Sequence, residues 1–163
     1  MGEVIAGRFE LVDLIGRGAM GSVWVARDLK SRDEIALKLL QQSEAADLLR
    51  FVRETSLRID HDHLVMPIGW AAEDDKVAFA MPLARGGSLA DLVAEHGTLP
   101  AGFTAEVMRQ VALGLAAVHA AGYVHRDVKP ANVLLAYTGG GRPHAMLGDF
   151  GVAVDTIEAL VST

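Results

Sequence analysis

The stretch of sequence that decides the fold reads His125-Arg126-Asp127-Val128-Lys129-Pro130-Ala131-Asn132. It places an acid, two bases, an amide and a proline directly after a long apolar segment. Charge at this density is costly to bury, so the stretch is predicted to be a surface loop or a functional site. An ordinary polar loop after a helix would show the same pattern, so this stretch alone does not distinguish such a loop from a functional site.

A second motif, Asp149-Phe150-Gly151, follows Asn132 by seventeen residues. His-Arg-Asp, then Asn five residues later, then Asp-Phe-Gly is the order of the protein-kinase signature. Either motif alone could arise by chance, whereas both in this order rarely do. The chain therefore resembles the eukaryotic-like (Hanks-type) Ser/Thr protein kinases of bacteria. That resemblance implies an α+β, bilobal, protein-kinase-like fold and phosphoryl transfer from Mg·ATP to a protein hydroxyl.

The composition indicates a packed globular protein. The chain has 163 residues, of which 51% are hydrophobic and 22% charged, and its formal net charge is −6. This length predicts one domain or two small lobes, and the acidic balance argues against nucleic acid as a partner. The absence of cysteine excludes disulfides and thiol-bound metals. No apolar run is long enough to cross a bilayer and no signal-peptide pattern opens the chain, so a cytoplasmic protein without a membrane segment is expected.

The glycine-rich segment Gly16-Arg17-Gly18-Ala19-Met20-Gly21-Ser22-Val23 fits a hairpin between two strands. Strand-like residues 8–15 precede it and residues 23–26 continue it, whereas a dinucleotide-binding fingerprint would require a helix after the glycines. Glycine lets the backbone lie close to phosphates and offer its N–H groups. A plain glycine hairpin is the alternative.

The remaining periodicity predicts an N-terminal antiparallel sheet of five strands with one helix, and a mainly helical C-terminal part. The strands are expected at residues 8–15, 23–26, 35–40, 64–70 and 76–83, and the helices at 45–59, from Ser88 onward and at 100–121. By resemblance, residues 1–81 form the N-lobe, 82–87 the hinge and 88–163 a partial C-lobe. No polar side chain occurs from Val111 to Val118, so the long helix is expected to be buried wherever other helices cover it and to expose an apolar face otherwise.

The resemblance also implies an ATP site. Lys38 would contact the α- and β-phosphates, with Glu54 as its ion-pair partner; Glu44 is the fallback, and an exposed helix carboxylate is the alternative. Ser88 or Asp91 would touch the ribose, although a helix N-cap or a surface charge is the competing interpretation. The implied ATP-binding residues are Ile15, Gly16, Gly18, Gly21, Val23, Ala36, Lys38, Met81, Pro82, Ala84, Ser88 and Leu134.

For catalysis, the resemblance implies that Asp127 orients the substrate hydroxyl and accepts its proton, while Lys129 reaches the γ-phosphate. Asn132 and Asp149 supply hard oxygen ligands for Mg²⁺, with Mn²⁺ as an alternative ion. Arg126 beside Asp127 is typical of kinases that are switched by phosphorylation of a later segment. Ser162 and Thr163 are the candidate phosphorylation sites, whereas Thr156 is expected to be an ordinary tail residue.

The resemblance runs from about Phe9 to Gly151, and no Ala-Pro-Glu segment follows. An N-terminal fragment of a kinase, truncated shortly after Asp-Phe-Gly, is therefore expected, with a protein as its substrate and self-association through the uncovered helix face. The alternative is a non-catalytic, kinase-like nucleotide-binding or interaction module. A small-molecule phosphotransferase ranks last, because such enzymes usually lack these two motifs.

Overall fold

A computed structural model describes residues 2–18, 21–41, 43, 45–46, 59–150 and 154–155. The chain forms two compact units, Met1–Leu49 with Pro67–Leu83, and Arg50–Met66 with Ala84–Thr163. The helix expected at residues 45–59 falls almost wholly outside the described residues. The combination of strands and helices confirms the α+β class, while the lobe and hinge boundaries stay predictions.

The first unit is built on one antiparallel sheet of six strands in the order β1-β2-β3-β4-β6-β5. The strands are β1 (Val4–Ile5), β2 (Phe9–Gly18), β3 (Gly21–Asp28), β4 (Glu34–Gln41), β5 (Gly69–Glu73) and β6 (Lys76–Pro82). Four of the five predicted strands are confirmed as β2, β3, β4 and β6. Strand β1 was not expected, because two residues are too few for alternation to reveal a strand.

The strand predicted at residues 64–70 is wrong, since β5 begins at Gly69. Leu64 and Val65 pair instead with Leu147, which lies in the second unit as they do. The Val65 N–H donates to the Leu147 carbonyl at 2.9 Å. Pro67 has no N–H and cannot contribute a donor to a sheet. Pairing with β6 therefore starts only after this proline.

The sheet buries one face in an apolar cluster. Alternation along β4 places Ile35, Leu37 and Leu39 in this cluster, and Ala36 and Lys38 on the opposite face. The buried members are Ile5, Phe9, Leu11, Ala26, Ile35, Leu37, Leu39, Ala78 and Ala80. The opposite face carries Ala36 and Lys38, two of the residues predicted to bind the nucleotide.

Within its described residues, the second unit contains two helices, two short strand pairs and one 3-10 turn. Helix α1 (Leu89–His96) and helix α2 (Ala101–Ala120) are followed by the 3-10 turn Pro130–Asn132. Strand β7 (Tyr123–Val124) pairs with β10 (Val154–Asp155), and β8 (Val133–Leu135) pairs with β9 (Ala145–Leu147). None of the helices within the described ranges is long and apolar enough to cross a membrane.

Helix α2 follows the predicted bounds closely and packs against β7 and β9. Val107, Val111 and Val118 are buried on one side. Leu113, by contrast, is 42% exposed. Part of the apolar surface of α2 is therefore exposed, as the sequence predicts.

Candidate active site

The glycine-rich segment forms the hairpin between β2 and β3, where Gly18 pairs with Gly21. A Cβ built on Gly16 or Gly18 meets no atom within 4 Å, so the backbone is open to an approaching ligand at these positions. A Cβ on Gly21, whose φ is 152°, would overlap the carbonyl oxygen of Leu39. The hairpin confirms the predicted strand–turn–strand order and excludes a dinucleotide-binding fingerprint.

Four of the predicted ATP-binding residues share the sheet face opposite the apolar cluster. Val23 lies directly opposite Lys38, and Met81 lies directly opposite Ala36. Residues that face each other across antiparallel strands project to the same side, and Ala36 and Lys38 are two positions apart on β4. The half-buried side chains of all four therefore belong to one surface.

The other predicted nucleotide residues are more scattered. Ile15 lies in β2 beside the hairpin and is 54% exposed. Pro82 is the last residue of β6, and the half-buried Ala84 follows it outside any strand. In the second unit, the half-buried Leu134 lies in β8. Outside the described residues are Glu54, Glu44, Thr156, Ser162 and Thr163, so the Lys38–Glu54 pair and the phosphorylation sites stay predictions.

Ser88 caps helix α1. Its hydroxyl donates to Oδ2 of Asp91 at 2.7 Å and accepts from the Asp91 N–H at 3.1 Å, while its own N–H donates to Oδ2 at 2.9 Å. These hydrogen bonds hold the pKa of Asp91 below its ordinary value. The arrangement is a reciprocal capping box, so the N-cap interpretation of Ser88 accounts for this side chain.

His125 joins two backbone segments of the second unit. The imidazole is 1% exposed, its Nδ1 accepts from the Asp127 N–H at 3.2 Å, and its Nε2 donates to the Gly148 carbonyl at 2.8 Å. The Phe150 ring packs edge-on at a centroid distance of 4.9 Å. Burial lowers the pKa of His125 below its ordinary value. The ring is therefore neutral near pH 7 and serves as a structural link.

Asp127 lies at the centre of a hydrogen-bonded network. Its Oδ2 accepts from Nζ of Lys129 at 2.8 Å and from Nδ2 of Asn132 at 2.9 Å, and Nδ2 also donates to the Asp127 carbonyl at 2.8 Å. The Lys129 bond, followed by the Asn132 bond, lowers the pKa of Asp127. No described residue donates a hydrogen bond to Oδ1 of Asp127. This ionised carboxylate thus has one oxygen ready to accept another hydrogen bond.

Asp149 is placed beside this network by its neighbour Gly148. The Gly148 N–H donates to the Asn132 carbonyl at 2.9 Å, and the Gly148 carbonyl is the acceptor of His125. Asp149 itself adopts a φ of 58°, and Arg126 adopts 66°. These left-handed conformations are uncommon for residues other than glycine. The hydrogen bonds of Gly148 to the Asn132 carbonyl and to the His125 ring therefore bring together two motifs that lie apart in the sequence.

Comparison with known proteins identifies the family in which these two motifs and the glycine-rich hairpin occur together. The protein kinase domain family matches residues 9–160. The chain belongs to this family. It is 38% identical to the serine/threonine-protein kinase PkaA of Streptomyces coelicolor over 91% of this chain and 30% of that protein. It is 39% identical to PkaB of the same organism, over 96% of this chain and 40% of that protein.

A more distant relative is PrkC of Bacillus subtilis, a serine/threonine-protein kinase that is 31% identical over 94% of this chain and 24% of that protein. The chain thus spans less than half the length of these curated kinases. Its resemblance to bacterial Hanks-type Ser/Thr kinases is confirmed. Protein kinases as a family use ATP and Mg²⁺.

The donors in this kinase domain fit a magnesium ion. The Asp149 carboxylate and the Asn132 amide oxygen are the hard oxygen ligands that Mg²⁺ prefers, and no described residue donates a hydrogen bond to Oδ1 of Asn132. Within the described ranges, no three histidine or acidic side chains are grouped to hold a metal. Proteins usually hold Mg²⁺ through one or two carboxylates, while phosphates and water complete the shell.

Two side chains of the kinase domain that the motifs do not reveal are Gln110 and His63. Gln110 is 4% exposed on the buried side of α2, and its Oε1 accepts from the Ala145 N–H at 2.7 Å. Nδ1 of His63 lies 2.8 Å from the Ala145 carbonyl. The sequence carries one signal for Gln110, since it stands at helical spacing between the buried Val107 and Gly114.

Proposed function

We propose that this chain is the ATP-binding and catalytic part of a Ser/Thr protein kinase, which transfers the γ-phosphoryl group of Mg·ATP to a hydroxyl of a protein substrate. The observation that carries the proposal is the network of Asp127, Lys129 and Asn132, tied through Gly148 to Asp149. Because ATP is a cytoplasmic nucleotide, we propose that the reaction takes place in the cytoplasm.

The proposed roles follow from what phosphoryl transfer requires, namely positioning and charge neutralisation. Asp127 orients the substrate hydroxyl with its second oxygen and accepts the proton. The hydroxyl oxygen then forms a bond to the γ-phosphorus, and the bond from that phosphorus to the ADP oxygen breaks. Lys129 supplies positive charge close to Asp127. Asn132 and Asp149 would hold a Mg²⁺ ion, which neutralises phosphate charge when bound.

The first unit supplies the nucleotide contacts in this proposal. Val23, Ala36 and Met81 present apolar surface for the adenine, and Lys38 on the same sheet face pairs with phosphate oxygens. The open backbone at Gly16 and Gly18 allows main-chain N–H groups to approach phosphates closely. In addition, the backbone N–H of Ala84, the first residue of the second unit's longer segment, would donate a hydrogen bond to the adenine.

The test uses the whole chain. Calorimetric titration with ATP and with adenosine, each with and without Mg²⁺, measures binding, and transfer of radiolabelled phosphate to a basic Ser/Thr-rich protein measures catalysis. Asp149→Asn should abolish the Mg²⁺-dependent part of ATP binding, because it removes the only anionic ligand proposed for the ion. Asp127→Asn should keep binding but lower transfer by about 10²–10⁴-fold, the usual contribution of a general base.

The matched control is Asp74→Asn, which makes the same chemical change in the exposed turn between β5 and β6 and should alter neither measurement. ATP binding that ignores Mg²⁺ in the unmutated chain would contradict the metal roles. Mg·ATP binding without any transfer would instead favour a non-catalytic nucleotide-binding module.

A further inference from the structure

Strand β9 is only three residues long, yet it leads directly to Asp149. Its first residue is anchored by side chains rather than by a long ladder: the Ala145 N–H bonds to Gln110 and the Ala145 carbonyl to His63. Further along, the Leu147 N–H donates to the His63 carbonyl at 2.8 Å. His63 thus bonds both ends of β9, Gln110 bonds its start, and Asn132 and His125 bond the following Gly148.

Gln110 is bonded at both ends of its amide. Its Nε2 donates to the Pro143 carbonyl at 2.8 Å and to Oε1 of Glu106 at 2.8 Å, while Oε1 accepts from Ala145. Glu106 is held by Arg109 at 2.9 Å and 2.7 Å, and these bonds lower the pKa of Glu106 to about 2. An ionised Glu106 accepts only, so it fixes which end of the amide faces Ala145.

Helix α2 and the His63 segment enclose the start of β9 from two sides. A Cβ on Gly114 would come within 2.6 Å of the His63 carbonyl oxygen, so glycine is what allows the two backbones to approach this closely. Ala145 itself is fully buried between them. A shift of β9 would leave its buried amide without a partner, which is unfavourable because the N–H would be cut off from water as well.

We propose that Gln110 is a positioning residue for the Asp149 carboxylate: by holding the Ala145 amide it reinforces the register that β9 has with β8, and therefore the place of Asp149 relative to Asn132. A slip of one residue in a strand turns every side chain to the opposite face, so a change in the register of β9 would move Asp149, two residues after the strand, relative to Asn132. The consequence for magnesium rests on the proposed function, whereas the anchoring of β9 does not.

The test compares Gln110→Met with Val111→Ala on the whole chain. Methionine keeps the length of glutamine but loses every hydrogen bond to β9. Val111→Ala removes buried methyl groups from the next position of the same helix and removes no hydrogen bond to β9, so it controls for lost stability. The first readout is the Mg²⁺ concentration that gives half-maximal ATP binding, and the second is adenosine affinity without metal.

We expect Gln110→Met to raise the Mg²⁺ midpoint by about 10–100-fold, the usual effect of losing a group that orients a metal ligand. Adenosine affinity should stay within about twofold. Val111→Ala should lower the melting temperature and leave the Mg²⁺ midpoint unchanged. In the Asp149→Asn background, Gln110→Met should have no further effect on metal dependence, because the two changes act on one interaction.

Hydrogen exchange separates this inference from the proposed function. The amides of Ala145, Leu147 and Gly148 should exchange at least about tenfold faster in Gln110→Met than in Val111→Ala, whether or not nucleotide binds. Equal exchange in the two variants would overturn the anchoring, and an unchanged Mg²⁺ midpoint would overturn the positioning role. If the unmutated chain shows no Mg²⁺-dependent binding, the proposed function fails while the exchange result still decides whether Gln110 anchors β9.

Discussion

Nε2 of His125 lies 2.8 Å from the carbonyl oxygen of Gly148, so one buried ring connects the loop of Asp127 to the residue that precedes Asp149. Because burial lowers the pKa of His125 below its ordinary value of 6.5, the unfolded chain binds a proton there before the folded chain does. The ring's contribution to the free energy of unfolding is therefore complete above pH 6.5 and is lost as the pH falls through the lower, folded pKa.

We predict that His125→Gln removes this part of the pH dependence. Between pH 7.5 and 5, the stability of the unmutated chain should fall more steeply than that of the variant, by at most about 1.4 kcal/mol per pH unit. Urea denaturation at several pH values measures the two slopes. Parallel slopes would show that His125 does not stay neutral in the folded chain.

Lys129→Met should raise the pKa of Asp127, because the Lys129 bond is the first cause of its depression. Carbon-13 NMR titration of the carboxyl group gives this pKa directly. Lys129→Arg keeps a cation and should leave the value low. The change in the free energy of unfolding should be under about 1 kcal/mol, since the pair is partly exposed and screened by solvent. An unaltered pKa in Lys129→Met would mean that Asn132 alone holds the carboxylate ionised.

Lys38→Met should weaken ATP by about 10–100-fold, the equivalent of one charge-assisted contact of about 1.5–3 kcal/mol. Adenosine, which has no phosphate, should bind within about twofold of the unmutated chain, because Val23, Ala36 and Met81 are unchanged. Lys30→Met, in the exposed turn after β3, is the matched control and should affect neither ligand. Equal losses for ATP and adenosine would contradict a phosphate contact.

Two glycines of α2 should respond oppositely to alanine. A Cβ on Gly114 would lie 2.6 Å from the His63 carbonyl oxygen, whereas one on Gly102 meets nothing within 4 Å. Gly114→Ala should therefore destabilise the chain by about 1–3 kcal/mol through overpacking. Gly102→Ala should stabilise it by up to about 1 kcal/mol, because alanine is the better helix former. The midpoints of urea denaturation measure both changes. A Gly114→Ala variant as stable as the unmutated chain would mean that α2 can move away from His63.

Much of the candidate site could be predicted because kinase motifs are local in sequence. The order of Asp127, Asn132 and Asp149 was enough to identify the family, and the glycine spacing was enough to predict the hairpin. Lys38 is the one charged side chain in the apolar run of residues 35–40, whereas its place on the sheet face opposite Leu37 comes from the structure.

What could not be predicted depends on contacts between distant parts of the chain. Residues 64–68 are apolar enough for a strand, yet the backbone of Val65 bonds to Leu147, which no local pattern reveals. The role of Gln110 depends on Ala145, thirty-five residues away. The left-handed backbone of Arg126 was equally hidden, because arginine has no intrinsic preference for that conformation.

The capping box of helix α1 determines whether a ligand at Ser88 can donate or accept a hydrogen bond there. The hydroxyl has a single proton, which it already donates to Asp91, so what remains is a lone pair. A sugar hydroxyl that donates to Ser88 leaves the helix start intact. A ligand that needs a donor from Ser88 must open the cap at a cost of about 1 kcal/mol, or about a fivefold loss of affinity. The hydrogen bond from Ser88 to Asp91 thereby favours ligands that donate a hydrogen bond to Ser88 over ligands that accept one.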